Sequence, residues 1–252
     1  MKKLGLYNSS FEHDACGIGA VVNIKGKKSH DVIDNCLEIL ENLKHRGGIG
    51  VEENTGDGAG ILMQIPHEFF QKKALDNGLE LPKSGDYAVG TVFLPMEKQR
   101  MLEAKHFIEE MMKENSFNIL FWREVPVSIN GIGETALKAM PKIMQVFLRK
   151  PEEVSAGMDF ERSLYMLRRK IEKKLNHLEG FYIASLSSRT IVYKGMLVST
   201  QVRTFFEDLN DEDMKSAIAM VHSRYSTTTF PSWEKAHPNR MIIHNGEINT
   251  LR

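Results

Sequence analysis

The sequence predicts an α+β sandwich. Short apolar or alternating stretches bounded by glycine, proline and polar turns recur along the chain as strands, whereas helical spacing of apolar residues recurs over only three or four longer stretches. The order runs strands, helices, more strands, with long links suited to antiparallel pairing and not the regular alternation of a parallel winding. The 252 residues are 42% hydrophobic, which suits one large domain or two small ones and is ample for a well-buried core.

Each element follows from local pattern. "GIGAVVNI" (17–24) reads as a buried strand closed by a turn at Lys25-Gly26. A helix capped by Ser29 or Asp31 then carries Ile33, Cys36, Leu37, Leu40 and Leu43 on one stripe and stops at Gly47-Gly48. Cys36 is therefore a core residue. "TGDGAGILMQI" joins a glycine-rich loop to a strand, and "YAVGTVFLP" supplies another. A helix between Met96 and Asn115 should pack through Leu102, Phe107, Ile108 and Met111; "NILFWREVPV" and "KIMQVFLRK" are two further strands. Asp159 is the expected cap of a helix buried through Leu164, Leu167, Ile171 and Leu175. "GFYIASLSSRTIVYKG" reads as a hairpin about Ser187-Ser188, and "SAIAMVHSRYST" and "NRMIIHNGE" are the last strands, both ending in polar residues.

Composition excludes several classes of function. With 33 basic and 33 acidic residues and no basic patch, nothing draws the chain to nucleic acid or to an anionic membrane surface. Two cysteines make no disulfide framework and suit a reducing cytoplasm. The first residues turn polar and acidic instead of apolar, so they are no secretory signal, and no apolar run reaches the roughly 18 residues a membrane helix needs. In a cytoplasmic chain the sequon Asn8-Ser9-Ser10 is a chance match.

Cys16 stands directly before the first strand, in "DACGIG". By itself it fits a packed position as well as a nucleophile, but Gly17 and Gly19 leave room for close approach that packing does not require. If the Ala15–Cys16 bond were cut, the new α-amine, with a reference pKa of about 7.7 to 8.0, would face a thiol of about 8.5. Forming the thiolate would then cost on the order of 1 kcal/mol. One residue would supply nucleophile and base, and an uncut leader would withhold both.

Near the other end, Arg224 closes an apolar strand and needs an anion; its planar fork could clamp a substrate carboxylate or serve a structural ion pair. Asn245-Gly246 could hold an oxyanion through a side-chain amide and an unscreened N–H, although the pair is also a turn signal. His222 and His244 lack a third ligand at metal-site spacing, so no metal is expected. "TGDGAG" lacks the Lys-Ser/Thr ending of a phosphate loop and reads as a flexible wall of a site.

The stretches "HDACGIGAV", "LENLKHRGGIGVEENTGDGAGIL", "HSRYSTTTFPSW" and "HNGEINTLR" occur in order across nearly the whole chain. Together they resemble the class II glutamine amidotransferases, most closely those at the N-terminus of glutamate synthase large subunits. That resemblance implies a four-layer αββα sandwich of the N-terminal nucleophile hydrolase type, with two stacked, mainly antiparallel sheets. It implies a propeptide over 1–15 and a glutamine amidotransferase domain over 16–252, truncated at its C-terminal end. It also implies that Cys16 attacks the side-chain amide of L-glutamine, with Asn245 and Gly246 as the oxyanion hole, Arg224 on the substrate α-carboxylate, and Arg46 with Gly47 in the wall beside the nucleophile. The ammonia released would pass to a synthase domain or subunit that makes glutamate from 2-oxoglutarate. FMN, an iron–sulfur cluster and a reductant (NADPH, NADH or ferredoxin) would serve that partner, together with a small electron-transfer subunit, and no cofactor is expected in this chain.

Relatives carry an aspartate for the substrate amine some two dozen residues past the Asn-Gly pair, beyond Arg252. An incomplete pocket and weak hydrolysis by the uncut chain are therefore expected. Two other readings stay open from the sequence: a non-catalytic interaction or regulatory fragment, and an N-terminal nucleophile amidase acting on a different amide. Arg224 separates the last from the first, because a substrate without an α-carboxylate gives it nothing to bind.

Overall fold

A computed structural model describes residues 17–50, 52–225 and 230–240. The first described strand is β1 (Ile18–Val22), which ends two residues before the apolar run does, because Ile24 stands exposed in a turn that Gly26 closes with φ 70°. Helix α1 (His30–Asn42) buries Val32, Ile33, Cys36, Leu37 and Leu40 against β1 and the last strand; Leu43 opens a short helical turn ahead of Gly47. Ser29 occupies the position before α1 but makes no side-chain cap. Burial pushes the Cys36 thiol up to about 12, as fits a residue inside the core.

Next come β2 (Ala59–Gln64), α2 (His67–Leu75), β3 (Tyr87–Leu94), α3 (Lys98–Glu114), β4 (Asn118–Glu124), the short α4 (Glu134–Lys138), β5 (Lys142–Arg149) and α5 (Met158–Leu175). They are followed by β6 (Tyr182–Ser187), β7 (Thr190–Gly195), the short α6 (Val202–Phe205) and β8 (Ile218–Ser223). Two details depart from the helical pattern. Leu102 is half exposed, whereas Ile108 is buried and Phe107 and Met111 pack beside it as expected, with Ala104 and Met112 completing the buried face of α3. Gly157, not Asp159, precedes α5, and Asp159 lies in its first turn, where a carboxylate still favours the positive end of the helix. The buried stripe of α5 is the one expected: Leu164, Leu167, Ile171 and Leu175.

The strands make two stacked antiparallel sheets, in the orders β1-β8-β2-β7 and β4-β5-β3-β6. Among the described residues this is the α+β sandwich anticipated. One core joins α1 and α2 to inward residues of both sheets, including Ile61, Val89, Phe147, Ile191 and Val221, and Phe121 stacks on Phe147 at 4.2 Å between ring centres. A second core lies under α3 and α5 on the other side of β3 and β5. At roughly 1.5 to 3 kcal/mol per fully buried large side chain, these two clusters dominate the driving force.

The expected hairpin at Ser187-Ser188 is a crossing between layers. β6 pairs with β3 in one sheet and β7 with β2 in the other. Both strands are almost wholly buried, so alternation could not say which neighbour each would take. The turn is held from outside by Glu161 of α5, whose carboxylate accepts from Ser187 Oγ at 2.9 Å and from the N–H and Oγ of Ser188 at 2.7 and 2.6 Å.

A buried polar ring ties the sheets together. Gln145 Nε2 donates to the Tyr193 hydroxyl at 3.0 Å, Tyr193 donates to Asp208 at 3.0 Å, and Arg123 closes the ring onto both Asp208 and Gln145. With each member satisfied, such a ring fixes the relative placement of the layers more than it adds stability. The expected strand "NRMIIHNGE" spans 239–247 and, apart from Asn239 and Arg240, lies outside the described residues.

Candidate active site

The edge where β8 ends brings together three segments that are distant in sequence. Ser223 donates its N–H to Gly17 O at 2.7 Å, and a Cβ on Gly17 would stand 2.2 Å from Ser223 O, so glycine alone permits this approach. Gly17 is the residue that follows Cys16. Arg224 is held on both sides of its backbone: its N–H donates to Gly58 O at 2.8 Å, and its carbonyl accepts from Gly48 N–H at 2.9 Å. Its Nη1 donates to Asp57 O at 3.1 Å. Burial lowers the guanidinium's proton affinity, with Asp57 opposing the shift.

The segment Arg46-Gly47-Gly48 forms the neighbouring wall. Gly47 N–H returns to Lys44 O at 3.2 Å, and an added Cβ would stand 2.4 Å from Ser223 Oγ. At Gly48 a Cβ would meet Asp57 Oδ2 at 1.9 Å. A small cleft opens here, lined by Gly47, Gly48, Gly58, Ser199, Ser223 and Arg224. Ser199 is 3% exposed and its hydroxyl has no hydrogen-bond partner among the described residues. The segments that carry Arg224, Arg46 and Gly47 meet at this edge. Cys16, Asn245, Gly246 and His244 lie outside the described residues.

The loop "TGDGAG" is a wall, but a braced one. Gly50 N–H donates to Thr55 O at 2.8 Å and Gly133 N–H to Asn54 O at 2.9 Å, while Gln201 Nε2 donates to Asn54 O at 3.0 Å. Glu52 accepts from Thr55 Oγ1 at 3.1 Å and Thr135 Oγ1 at 2.7 Å; Thr135 is the largest influence holding its carboxyl below the ordinary range. The expected flexibility is absent because Thr55 and Asp57 are buried and the loop backbone is paired.

Sequence reasoning missed the layer behind Arg224. Lys194 of β7 is 1% exposed and sits opposite Gly60, which in turn faces His222 of β8. Its ammonium donates to Glu234 O at 2.9 Å and Ala236 O at 2.7 Å. Between those two acceptors and Phe230 lies Trp233, 2% exposed, whose Nε1 donates to Ala136 O at 3.0 Å and whose ring packs on Phe93 and Phe205. The available signal was a lysine inside the otherwise apolar stretch "TIVYKG". Two larger clefts flank this layer: one of about 540 Å³ beside α5, and one of about 800 Å³ around Glu172 that reaches Trp233 and Glu234.

Among the described residues no group of three or more His, Cys, Asp or Glu could hold a metal, and no helix is long and apolar enough to cross a membrane. The family model for class-II glutamine amidotransferases matches residues 16–252. The chain is 47% identical to the glutamate synthase [NADPH] large chain of Bacillus subtilis, an alignment that covers 100% of this chain and 16% of that protein. It is 41% identical to the glutamate synthase [NADH] of Saccharomyces cerevisiae, over 99% of this chain and 12% of that one. Against the chloroplastic ferredoxin-dependent glutamate synthase of Oryza sativa subsp. japonica it is 41% identical, covering 96% and 15%. The chain therefore spans less than a fifth of the length of these relatives.

Proposed function

Because the chain belongs to the class II glutamine amidotransferases, we propose that it is the glutaminase part of a glutamate synthase, with Cys16 as nucleophile once residues 1–15 are removed. The observation that carries this reading is Arg224, which directly follows Ser223 at the end of β8, where the Ser223 N–H bonds the carbonyl of Gly17, the residue after Cys16. A guanidinium so placed suits the α-carboxylate of an amino-acid substrate, which a different amide would lack.

The steps balance as follows. The Cys16 α-amine takes the thiol proton, and the thiolate attacks the glutamine side-chain carbonyl carbon, sending the π electrons to oxygen. The Asn245 side-chain amide and Gly246 N–H stabilise that oxyanion. As the tetrahedral adduct collapses, the C–N bond breaks and the α-ammonium gives its proton to the leaving nitrogen, releasing ammonia and a thioester. Water, deprotonated by the same amine, then adds to the thioester, and the thiolate leaves to give glutamate. Arg46 and Gly47 form the wall beside the sulfur.

The relatives' names mention NADPH, NADH and ferredoxin. For the protein carrying this chain we infer one of these reductants, with FMN and an iron–sulfur cluster, in a synthase domain or subunit that joins the ammonia to 2-oxoglutarate, and a small electron-transfer subunit where the reductant is a nicotinamide. A cytoplasmic setting fits two cysteines of which Cys36 is buried in the core. Cys16→Ala in the intact, processed protein should abolish glutamine-dependent turnover and spare ammonia-dependent turnover; persistence of the former would end the proposal. Replacing Asn245 with Ala should slow glutamine hydrolysis roughly 100- to 1000-fold.

A further inference from the structure

Lys194 occupies a place where a strand buried on both faces calls for an apolar side chain. Removing an ammonium from water costs several kcal/mol, and an unbranched apolar residue such as methionine would fill much the same volume without that cost. What lysine adds is a donor that draws two carbonyls to one point. Those carbonyls belong to Glu234 and Ala236, at 2.9 and 2.7 Å from Nζ, while the Tyr182 ring lies beneath with its centre 4.8 Å away.

The turn held in this way leans on the site. Gly58 presses against Ala236 so closely that a Cβ on Gly58 would stand 2.8 Å from the Ala236 Cα. Gly58 O receives the backbone N–H of Arg224 at 2.8 Å, and the preceding carbonyl, of Asp57, receives Arg224 Nη1 at 3.1 Å. Contact therefore runs unbroken from Lys194 through Ala236 and Gly58 to both the backbone and the guanidinium of Arg224.

We propose that Lys194 is a positioning residue for substrate binding, clamping the 234–236 turn against Gly58 and thereby setting how Arg224 meets the α-carboxylate. This rests on the reading of Arg224 given above. In the intact, processed protein, Lys194→Met should raise the glutamine KM about tenfold, equivalent to roughly 1.4 kcal/mol, with little change in kcat. Ala236→Gly, which leaves Lys194 and both its acceptors in place but removes the methyl facing Gly58, should raise KM in the same sense and decides the matter if Lys194→Met does not fold.

A second readout needs no substrate. In the intact protein, the difference in emission between proteins with Trp233 and with Trp233→Phe isolates the signal of Trp233, and Lys194→Met should shift that signal to the red as the turn loosens from Phe93 and Phe205. An unchanged KM in Ala236→Gly, or unchanged Trp233 emission in a folded Lys194→Met protein, would overturn the proposal. If the unsubstituted protein does not hydrolyse glutamine, the reading of the site fails instead, and the emission still reports on the clamp.

Discussion

Arg224 gives its backbone N–H to the carbonyl of Gly58 at 2.8 Å, a bond between residues far apart in sequence that places a guanidinium where three segments converge. Since Nη1 is also committed to Asp57 O, the side chain is oriented before any ligand arrives. Preorganisation of this kind spares the ordering cost on binding.

Arg224→Lys keeps the charge but loses the planar fork. Charge-assisted hydrogen bonds contribute about 1.5 to 3 kcal/mol each, so glutamine KM should rise at least tenfold while kcat changes less. Steady-state kinetics on the processed protein would show it; an unchanged KM would remove Arg224 from the binding site.

Gly48→Ala puts a methyl about where Asp57 Oδ2 now lies, since an added Cβ would be 1.9 Å from that atom. Either the Arg46–Gly50 wall or the Asp57 loop must move. The expected loss is about 1 to 3 kcal/mol of stability, read by urea unfolding, with weakened glutamine binding alongside.

Cys36 should resist alkylation in the native protein, its thiol being pushed up to about 12 by burial. Iodoacetamide at neutral pH followed by peptide mass analysis should find Cys16 labelled in the processed protein and Cys36 unlabelled until denaturant is added. Labelling of Cys36 under native conditions would contradict its place in the core.

Lys194 gives stability a defined dependence on pH. Burial is the main cause that lowers its pKa from 10.5 to about 7. Arg240 and Arg224 lower it further, and Glu234 opposes them. Between these two values the unfolded chain holds a proton that the folded chain has released, so stability rises with pH across that window, by up to about 1.4 kcal/mol per unit. Below about pH 7 both states are protonated and this contribution is flat. Urea midpoints measured from pH 7 to 10 should climb, and Lys194→Met should flatten the climb; an equal slope in both would exclude Lys194 as its source.

By itself the sequence determined the elements whose cause is local. The apolar stripe of α1, the stripe of α5 and the runs of β3 and β5 are visible because burial on one face imposes a fixed period, and Cys36 declares itself a core residue by lying on such a stripe. Arg46, Gly47 and Arg224 stood out through motifs that keep their order along the chain. Tertiary structure alone decided the rest. Whether β6 and β7 pair with each other or part into separate sheets depends on which surfaces remain uncovered once the other strands are placed, and that competition is not written in either strand. Similarly, the loop through Thr55 and Asp57 became a rigid wall because distant Thr135 and Gln201 satisfy its polar groups, and Lys194 became a clamp because the turn at Glu234–Ala236 folds over β7. Periodicity reports how much of a residue is buried; only the assembled layers decide what it is buried against.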